Sequence, residues 1–126
     1  MSDITTVILA AGNSTRFKAS KSKLVYPLCG LPIVSHIFNI AKKISGKNIL
    51  VVSNEKNKEE LKLILNTSKL VVQKKQKGTA DAIEQVKKYV KSKNILILFG
   101  DTPLVEVKDI RKLVSKFKKS KAKASL

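Results

Sequence analysis

Short, unbroken apolar runs recur along this chain, and each is followed by a stretch whose apolar residues step by three and four. The runs are Thr5–Ala10, Ile49–Val52, Leu70–Val72 and Ile95–Phe99. Strands with one wet face alternate apolar and polar residues, so continuous runs predict strands covered on both faces. Pro32 opens the first helical stretch, where Ile33, Ile37, Ile40 and Ile44 share one face before Ser45-Gly46 stops it. Leu61, Ile64 and Leu65 mark a second helix, and Ala82, Ile83, Val86, Tyr89 and Val90 a third. Ile110, Leu113, Val114 and Phe117 mark a fourth. The order βαβαβαβα predicts an α/β fold, a Rossmann-like parallel sheet with right-handed crossovers and helices on both faces. The usual strand order for this topology is 3-2-1-4, which leaves Ile95–Phe99 at an edge with neither charge nor proline to protect it.

Composition narrows the setting. A chain of 126 residues, 43% hydrophobic, is sized for one domain with a real core. No apolar run approaches the roughly 20 residues of a membrane span, and Met1-Ser2-Asp3-Ile4 lacks the order of a secretory signal. The single cysteine, Cys29, rules out an internal disulfide framework and fits a reducing compartment, so a soluble cytoplasmic protein with no membrane partner is expected. The net charge of +17 invites polyanions. Yet Arg16 and Arg111 are the only arginines among 26 basic residues, and base readout favours arginine's bidentate fork. There is no tryptophan, and most Phe and Tyr residues fall inside apolar runs, so no specific nucleic-acid partner is expected. The lysine-rich end, Lys116 to Lys123, reads first as the solvated face of the last helix.

Sheets of this kind bind ligands at the carboxyl ends of their strands. Three segments lie there. Leu9-Ala10-Ala11-Gly12-Asn13-Ser14-Thr15-Arg16-Phe17 follows the first strand. Its small residues let backbone approach an anion, Gly12 permits backbone angles closed to other residues, and Arg16 adds a cation suited to phosphate. It is neither a Walker A loop nor a G-x-G-x-x-G fingerprint, and it also reads as a plain small-residue turn. An irregular stretch to Lys23 follows, with Gly30-Leu31-Pro32 before the first helix; structureless stretches this long are more often functional than not. Gln73-Lys74-Lys75-Gln76-Lys77-Gly78-Thr79 enters the third helix, with Thr79 as its expected N-cap. Phe99-Gly100-Asp101-Thr102-Pro103-Leu104 leaves the most apolar strand, and Asp101 there suits a divalent cation beside phosphates, or simply a turn.

Taken together, Leu-Ala-Ala-Gly-x-x-Thr-Arg, Lys23, Gly78-Thr79 and Gly-Asp-x-Pro-Leu resemble the sugar nucleotidyltransferases, in the family's order, from Val7 to Leu104. Within that family the resemblance points to uridylyltransferase domains acting on N-acetylglucosamine 1-phosphate. It implies that Leu9, Ala10, Ala11 and Gly12 lie along the nucleoside, and that Arg16 and Lys23 are catalytic, facing the triphosphate. It also implies that Gln73, Gln76, Gly78 and Thr79 recognise the base, with Gly100 beside the nucleotide and Asp101 binding Mg²⁺. The implied partners are a nucleoside triphosphate, UTP first, and a sugar 1-phosphate that attacks its α-phosphate to release pyrophosphate. Such transfer needs positioning and charge stabilisation rather than a covalent nucleophile, so Cys29 and His36 are left as structural.

Departures from the pattern shape the expectation. Ser14 stands where a second glycine is common, as it does in cytidylyl- and molybdopterin-type relatives, and Ser22 replaces the proline usual before Lys23. Family domains are also longer, and their later half supplies the acceptor-sugar residues and a second metal ligand. Residues 1–126 therefore read as one truncated domain of the MobA-like NTP transferase type, the N-terminal half of a nucleotidyltransferase domain. A second polypeptide or self-association is expected to cover the exposed strand. The alternatives are a remnant that binds nucleotide without turnover, and a basic protein that meets nucleic acid or membrane surfaces through its terminal lysines.

Overall fold

The structure is a computed structural model, and it describes residues 3–14, 16, 18, 20–67 and 69–126. Strand β1 (Ile4–Leu9) comes first, and a short hairpin, β2 (Pro27–Leu28) with β3 (Leu31–Pro32), leads into helix α1 (Ile33–Ser45). Then follow β4 (Ile49–Ser53), α2 (Lys58–Leu65), β5 (Leu70–Val72), α3 (Thr79–Val86), β6 (Asn94–Phe99) and α4 (Val107–Lys119). The main sheet runs β5-β4-β1-β6, and every pairing in it is parallel. This is the strand order expected from the sequence, the hairpin apart.

The hairpin lies between the irregular stretch that ends at Lys23 and the first helix, where the sequence reading placed no element. Its two-residue turn, Cys29-Gly30, has φ of 49° and 81°, the doubly positive pattern that matches the twist of antiparallel strands. His36 donates from Nε2 to the Leu28 carbonyl at 2.7 Å and pins the hairpin to α1. Pro32 sits at the N-cap of α1 rather than inside it. Val34, Ile37, Phe38, Ala41 and Ile44 form the buried stripe of that helix.

Two cores sandwich the sheet. On one face Ile4, Ile8, Ile49, Val51, Leu96 and Leu98 pack against α1, α2 and α4. On the other, Val7, Leu50 and Val52 pack against Ala82 and Val86 of α3. Because β6 pairs in register with β1, Ile95, Ile97 and Phe99 share the second face with Thr5, Val7 and Leu9. They remain 43%, 37% and 49% exposed, so the expectation that every strand is covered twice fails at β6. One helix, α3, cannot roof four strands, and it lies over β1, β4 and β5.

The third helix is shorter than its periodicity predicts. At Lys87 the bonding changes from i−4 to i−3, with Lys87 N–H donating to Glu84 O. A 3₁₀ turn over Lys87–Tyr89 follows, and Val90 is extended. Tyr89, read as part of the helix's apolar face, is turned out to 48% exposure. Ser92 then ties this connection to the start of β1 through its hydroxyl, 2.7 Å from Thr5 Oγ1.

Candidate nucleotide-binding cleft

The carboxyl ends of β1, β5 and β6 open onto one cleft of about 410 Å³. Leu9, Ala10, Ala11 and Gly12 form one wall, and Gln73, Gln76, Gly78 and Thr79 another. Lys23 and Asp101 close the mouth, joined by Ser14, Leu24, Ala82 and Phe99. The cleft therefore gathers most of the residues singled out in the sequence. Two stand apart. Arg16 is exposed and does not line the cleft. Thr15 and Phe17 of the same motif lie outside the described residues. Gly100 lies beneath the cleft: its N–H donates to Leu9 O at 2.9 Å, and an added Cβ would come within 3.2 Å of that oxygen. Its smallness lets β6 pack closely against the β1 loop.

The β1 loop differs from expectation in where its strain sits. Gly12 does not have positive φ, and a Cβ there would meet nothing within 4 Å, so its value is open space on the cleft side. The left-handed residue is Ser14, at φ 49°, where the sequence lacks the family's second glycine. A non-glycine residue held there costs about 1–2 kcal/mol, so the surroundings must fix it.

What fixes the loop is a pair of asparagines that sequence reading passed over. Asn54 and Asn57, 7% and 2% exposed, follow β4. Asn57 Nδ2 donates to Ala10 O at 2.8 Å, and Asn54 Nδ2 donates to Ala11 O at 3.0 Å and Gly12 O at 3.5 Å. The two also lock each other: Asn54 N–H donates to Asn57 Oδ1 at 3.0 Å, and Asn57 N–H to Asn54 Oδ1 at 2.8 Å. Gln76 Nε2 also donates to Ala11 O. Three successive loop carbonyls are thus held by side-chain amides. Glu55 lies between the asparagines, and the Lys58 ammonium bonded to it holds that exposed carboxyl below its usual range, while Lys58 is raised in turn. The available signal was Asn54-x-x-Asn57 directly after a strand, a pattern that also reads as turn and helix-start chemistry.

The Gln73–Gly78 wall is equally tied. Gln73, 4% exposed, donates from Nε2 to Asp81 Oδ2 at 2.6 Å and to Gly78 O at 3.3 Å. Gly78, not Thr79, is the N-cap of α3, at φ 97° and ψ 179°. A side chain disfavours that conformation, which explains Gly-Thr better than a threonine cap does. At the mouth, Lys23 Nζ lies 2.8 Å from Asp101 Oδ2, a pair about two-fifths exposed. Lys23 begins a 3₁₀ turn anchored by buried Leu24. Ser22, in place of proline, adopts a proline-like φ of −59° and accepts a hydrogen bond from Leu24 N–H at its hydroxyl. The substitution thus leaves Lys23 well placed.

No group of three or more Asp, Glu, His or Cys side chains among the described residues forms a metal cage. Asp101 offers one carboxylate at the cleft mouth. That fits a hard cation completed by phosphate oxygens and water, which is how Mg²⁺ is commonly held beside nucleotides. No helix of the described residues is long and apolar enough to cross a membrane.

Comparison with known proteins follows the same lines. The bifunctional protein GlmU of Buchnera aphidicola subsp. Schizaphis graminum (strain Sg) is 42% identical over 120 residues, covering 94% of this chain and 26% of that protein. This chain thus spans about a quarter of the length of the curated relatives it matches. Among solved structures, a putative glucose-1-phosphate thymidylyltransferase from Bacillus anthracis superposes with a TM-score of 0.83 at 21% identity, over 94% of this chain and 51% of that one. CMP:2-keto-3-deoxy-manno-octonic acid synthetase complexed with CTP gives 0.79 at 20%, over 96% and 49%. Rv0371C from Mycobacterium tuberculosis H37Rv in complex with manganese gives 0.75 at 17%, over 94% and 61%. These likenesses show the fold. The family model for the MobA-like NTP transferase domain matches residues 6–126, and on that span, with the topology and cleft described, this chain belongs to that family.

Proposed function

We propose that the cleft binds a nucleoside triphosphate, UTP first, for transfer of its nucleotidyl group to a sugar 1-phosphate, N-acetylglucosamine 1-phosphate first. The observation that carries this reading is the convergence of the clamped β1 loop, the Gln73–Gly78 wall and the Lys23–Asp101 pair on one cleft. Leu9 to Gly12 lie along the nucleoside, and Gln73, Gln76, Gly78 and Thr79 meet the base. The acceptor's phosphate oxygen bonds to the α-phosphorus as the bond to the bridging β-phosphate oxygen breaks, and pyrophosphate leaves. No protein nucleophile is needed, so the residues act by holding and neutralising.

Asp101 would hold the divalent cation, Mg²⁺ in our reading, and the manganese-bound Rv0371C relative supports a divalent site in this fold. Bound there, the cation would offset charge on the phosphate oxygens. Lys23, whose ammonium now bonds Asp101 Oδ2 at 2.8 Å, would share that carboxylate with the cation and would offset charge on the phosphates from the cleft mouth. Arg16, exposed outside the cleft lining, is assigned to the triphosphate by the resemblance of its motif alone.

Calorimetry with Mg²⁺ and UTP, CTP, dTTP or plain tripolyphosphate tests this on the 126-residue chain. UTP should bind best, and Lys23→Ala or Asp101→Ala should weaken it about ten- to hundredfold, the scale of a lost charged hydrogen bond. Equal binding of all four ligands, indifferent to both substitutions, sinks the proposal in favour of bulk lysine charge. UTP binding without pyrophosphate release, with acceptor present, marks a nucleotide-binding module rather than a working transferase.

A further inference from the structure

The segment from Gln73 to Gly78 sends its side chains two ways. Gln73, Gln76 and Gly78 line the nucleotide cleft, whereas Lys74, Lys75 and Lys77 line a separate groove of about 490 Å³ outside β5 and α3. That groove runs the length of α3, because Lys88 and Tyr89 at the helix's far end also line it. A second hollow, of about 400 Å³, begins at the same tyrosine and continues past Lys69 and Lys91. The exposed ring thus stands midway along a track with lysines on both sides.

The charges of this track are not cancelled locally. Among the described residues, none of Lys69, Lys74, Lys75, Lys77, Lys88 and Lys91 takes part in an ion pair. Of the nearby acids, Glu84 pairs with Lys87, and Glu55 pairs with Lys58 while feeling Lys74 at longer range; Asp81, which lines the groove, accepts from the neutral Gln73 amide and keeps its charge, one carboxylate against the six lysines. Lys69 donates to the Lys47 carbonyl and keeps its charge. Lys88 lies 5.1 Å from the centre of the Tyr89 ring. Six lysines around an exposed aromatic ring suit a ligand that alternates phosphates with flat bases: the lysines meet phosphates, and the ring offers a sequence-tolerant stacking surface.

We propose that the groove along β5 and α3 is a track for single-stranded nucleic acid, held through phosphates and a base stacked on Tyr89 without sequence readout. It is separate from the nucleotide cleft, and lysine suits it because no base edge has to be read. The track owes its existence to the early end of α3, since a helix continued through Val90 would have turned Tyr89 against the sheet.

The test is fluorescence anisotropy with labelled single-stranded RNA or DNA of about ten nucleotides. Tyr89→Leu, which leaves charge unchanged, should weaken binding about tenfold. Replacing Lys74, Lys75, Lys77 and Lys88 with Gln should weaken it at least about tenfold and flatten its salt dependence. The matched control replaces Lys116, Lys119, Lys121 and Lys123 with Gln, removing equal charge from the far end of the chain, and should change affinity less than about twofold. All these side chains are exposed, and melting curves establish that the variants stay folded. RNA and DNA arms tell the two sources of the strand apart, and binding of either supports the track. Equal losses from the two lysine sets, indifference to Tyr89→Leu, or displacement of the oligonucleotide by UTP would each overturn it. Polyphosphate binding as tightly as the oligonucleotide would do so too.

Discussion

β4 and β6 flank β1 on opposite sides, and their sequences are nearly equally apolar: Ile-Leu-Val-Val against Ile-Leu-Ile-Leu-Phe. Their surroundings differ completely. Every residue of β4 is buried, with strands on both sides and helices on both faces. In β6, Leu96 and Leu98 are buried against α4 and α1, while Ile95, Ile97 and Phe99 stand largely open. The contrast continues at the strand ends. After β4 the chain turns into the buried Asn54–Asn57 clamp, and after β6 into exposed Asp101. One strand anchors the cleft, and the other presents its charged group to whatever enters. An apolar run reports what a strand would bury, and its neighbours determine what it does bury.

The largest effect should come from the cores. Leu50→Ala, 6% exposed in β4, should lower unfolding free energy by about 2–5 kcal/mol in urea titrations. Ile97→Ala in β6 should cost about 1 kcal/mol or less, since its side chain is already partly wet. Equal losses would show that β6 is covered as fully as β4 in solution.

The strand ends should separate stability from binding. Asn57→Ala removes the partner of the buried Ala10 carbonyl and should cost about 1–3 kcal/mol while also weakening UTP binding. A variant with weakened stability and unchanged UTP affinity would reduce the clamp to a structural role. Asp101→Asn should instead shift stability by under about 1 kcal/mol, because an ion pair this exposed contributes little, yet it should weaken Mg²⁺-dependent UTP binding about tenfold or more. Comparable destabilisation by the two substitutions would erase the distinction between anchoring and presenting ends.

The mildest effect concerns the open stripe. An edge strand with unpaired backbone groups and an apolar face templates association, so sedimentation of the 126-residue chain should show concentration-dependent self-association. Ile97→Lys should shift it toward monomer with melting temperature nearly unchanged. A wild-type chain that remains monomeric throughout would mean that its +17 charge outweighs the apolar edge.

Residues near one another in sequence announced themselves. The strand runs, the presence of α1, the loop Leu9–Gly12 and the order of motifs were legible because each rests on local periodicity or backbone chemistry; the stripe of α1 was legible only in part, since Ile37 and Ile44 are buried with Val34, Phe38 and Ala41, while Ile33 and Ile40 are only partly covered. The chain order alone set the parallel sheet, since each strand returns through a helix. Contacts across long separations were not legible. Lys23 and Asp101 are 78 positions apart and meet at 2.8 Å because β1 and β6 are neighbours. Asn54 and Asn57 looked like turn residues until the sheet set them under the carbonyls of Ala10 and Ala11. Tyr89 kept a helical spacing while its hydrogen bonds tightened into a 3₁₀ turn that pointed it outward. Periodicity records which side of an element is apolar. Whether that side is covered, and which distant group it meets, follows from lateral packing that no single segment encodes.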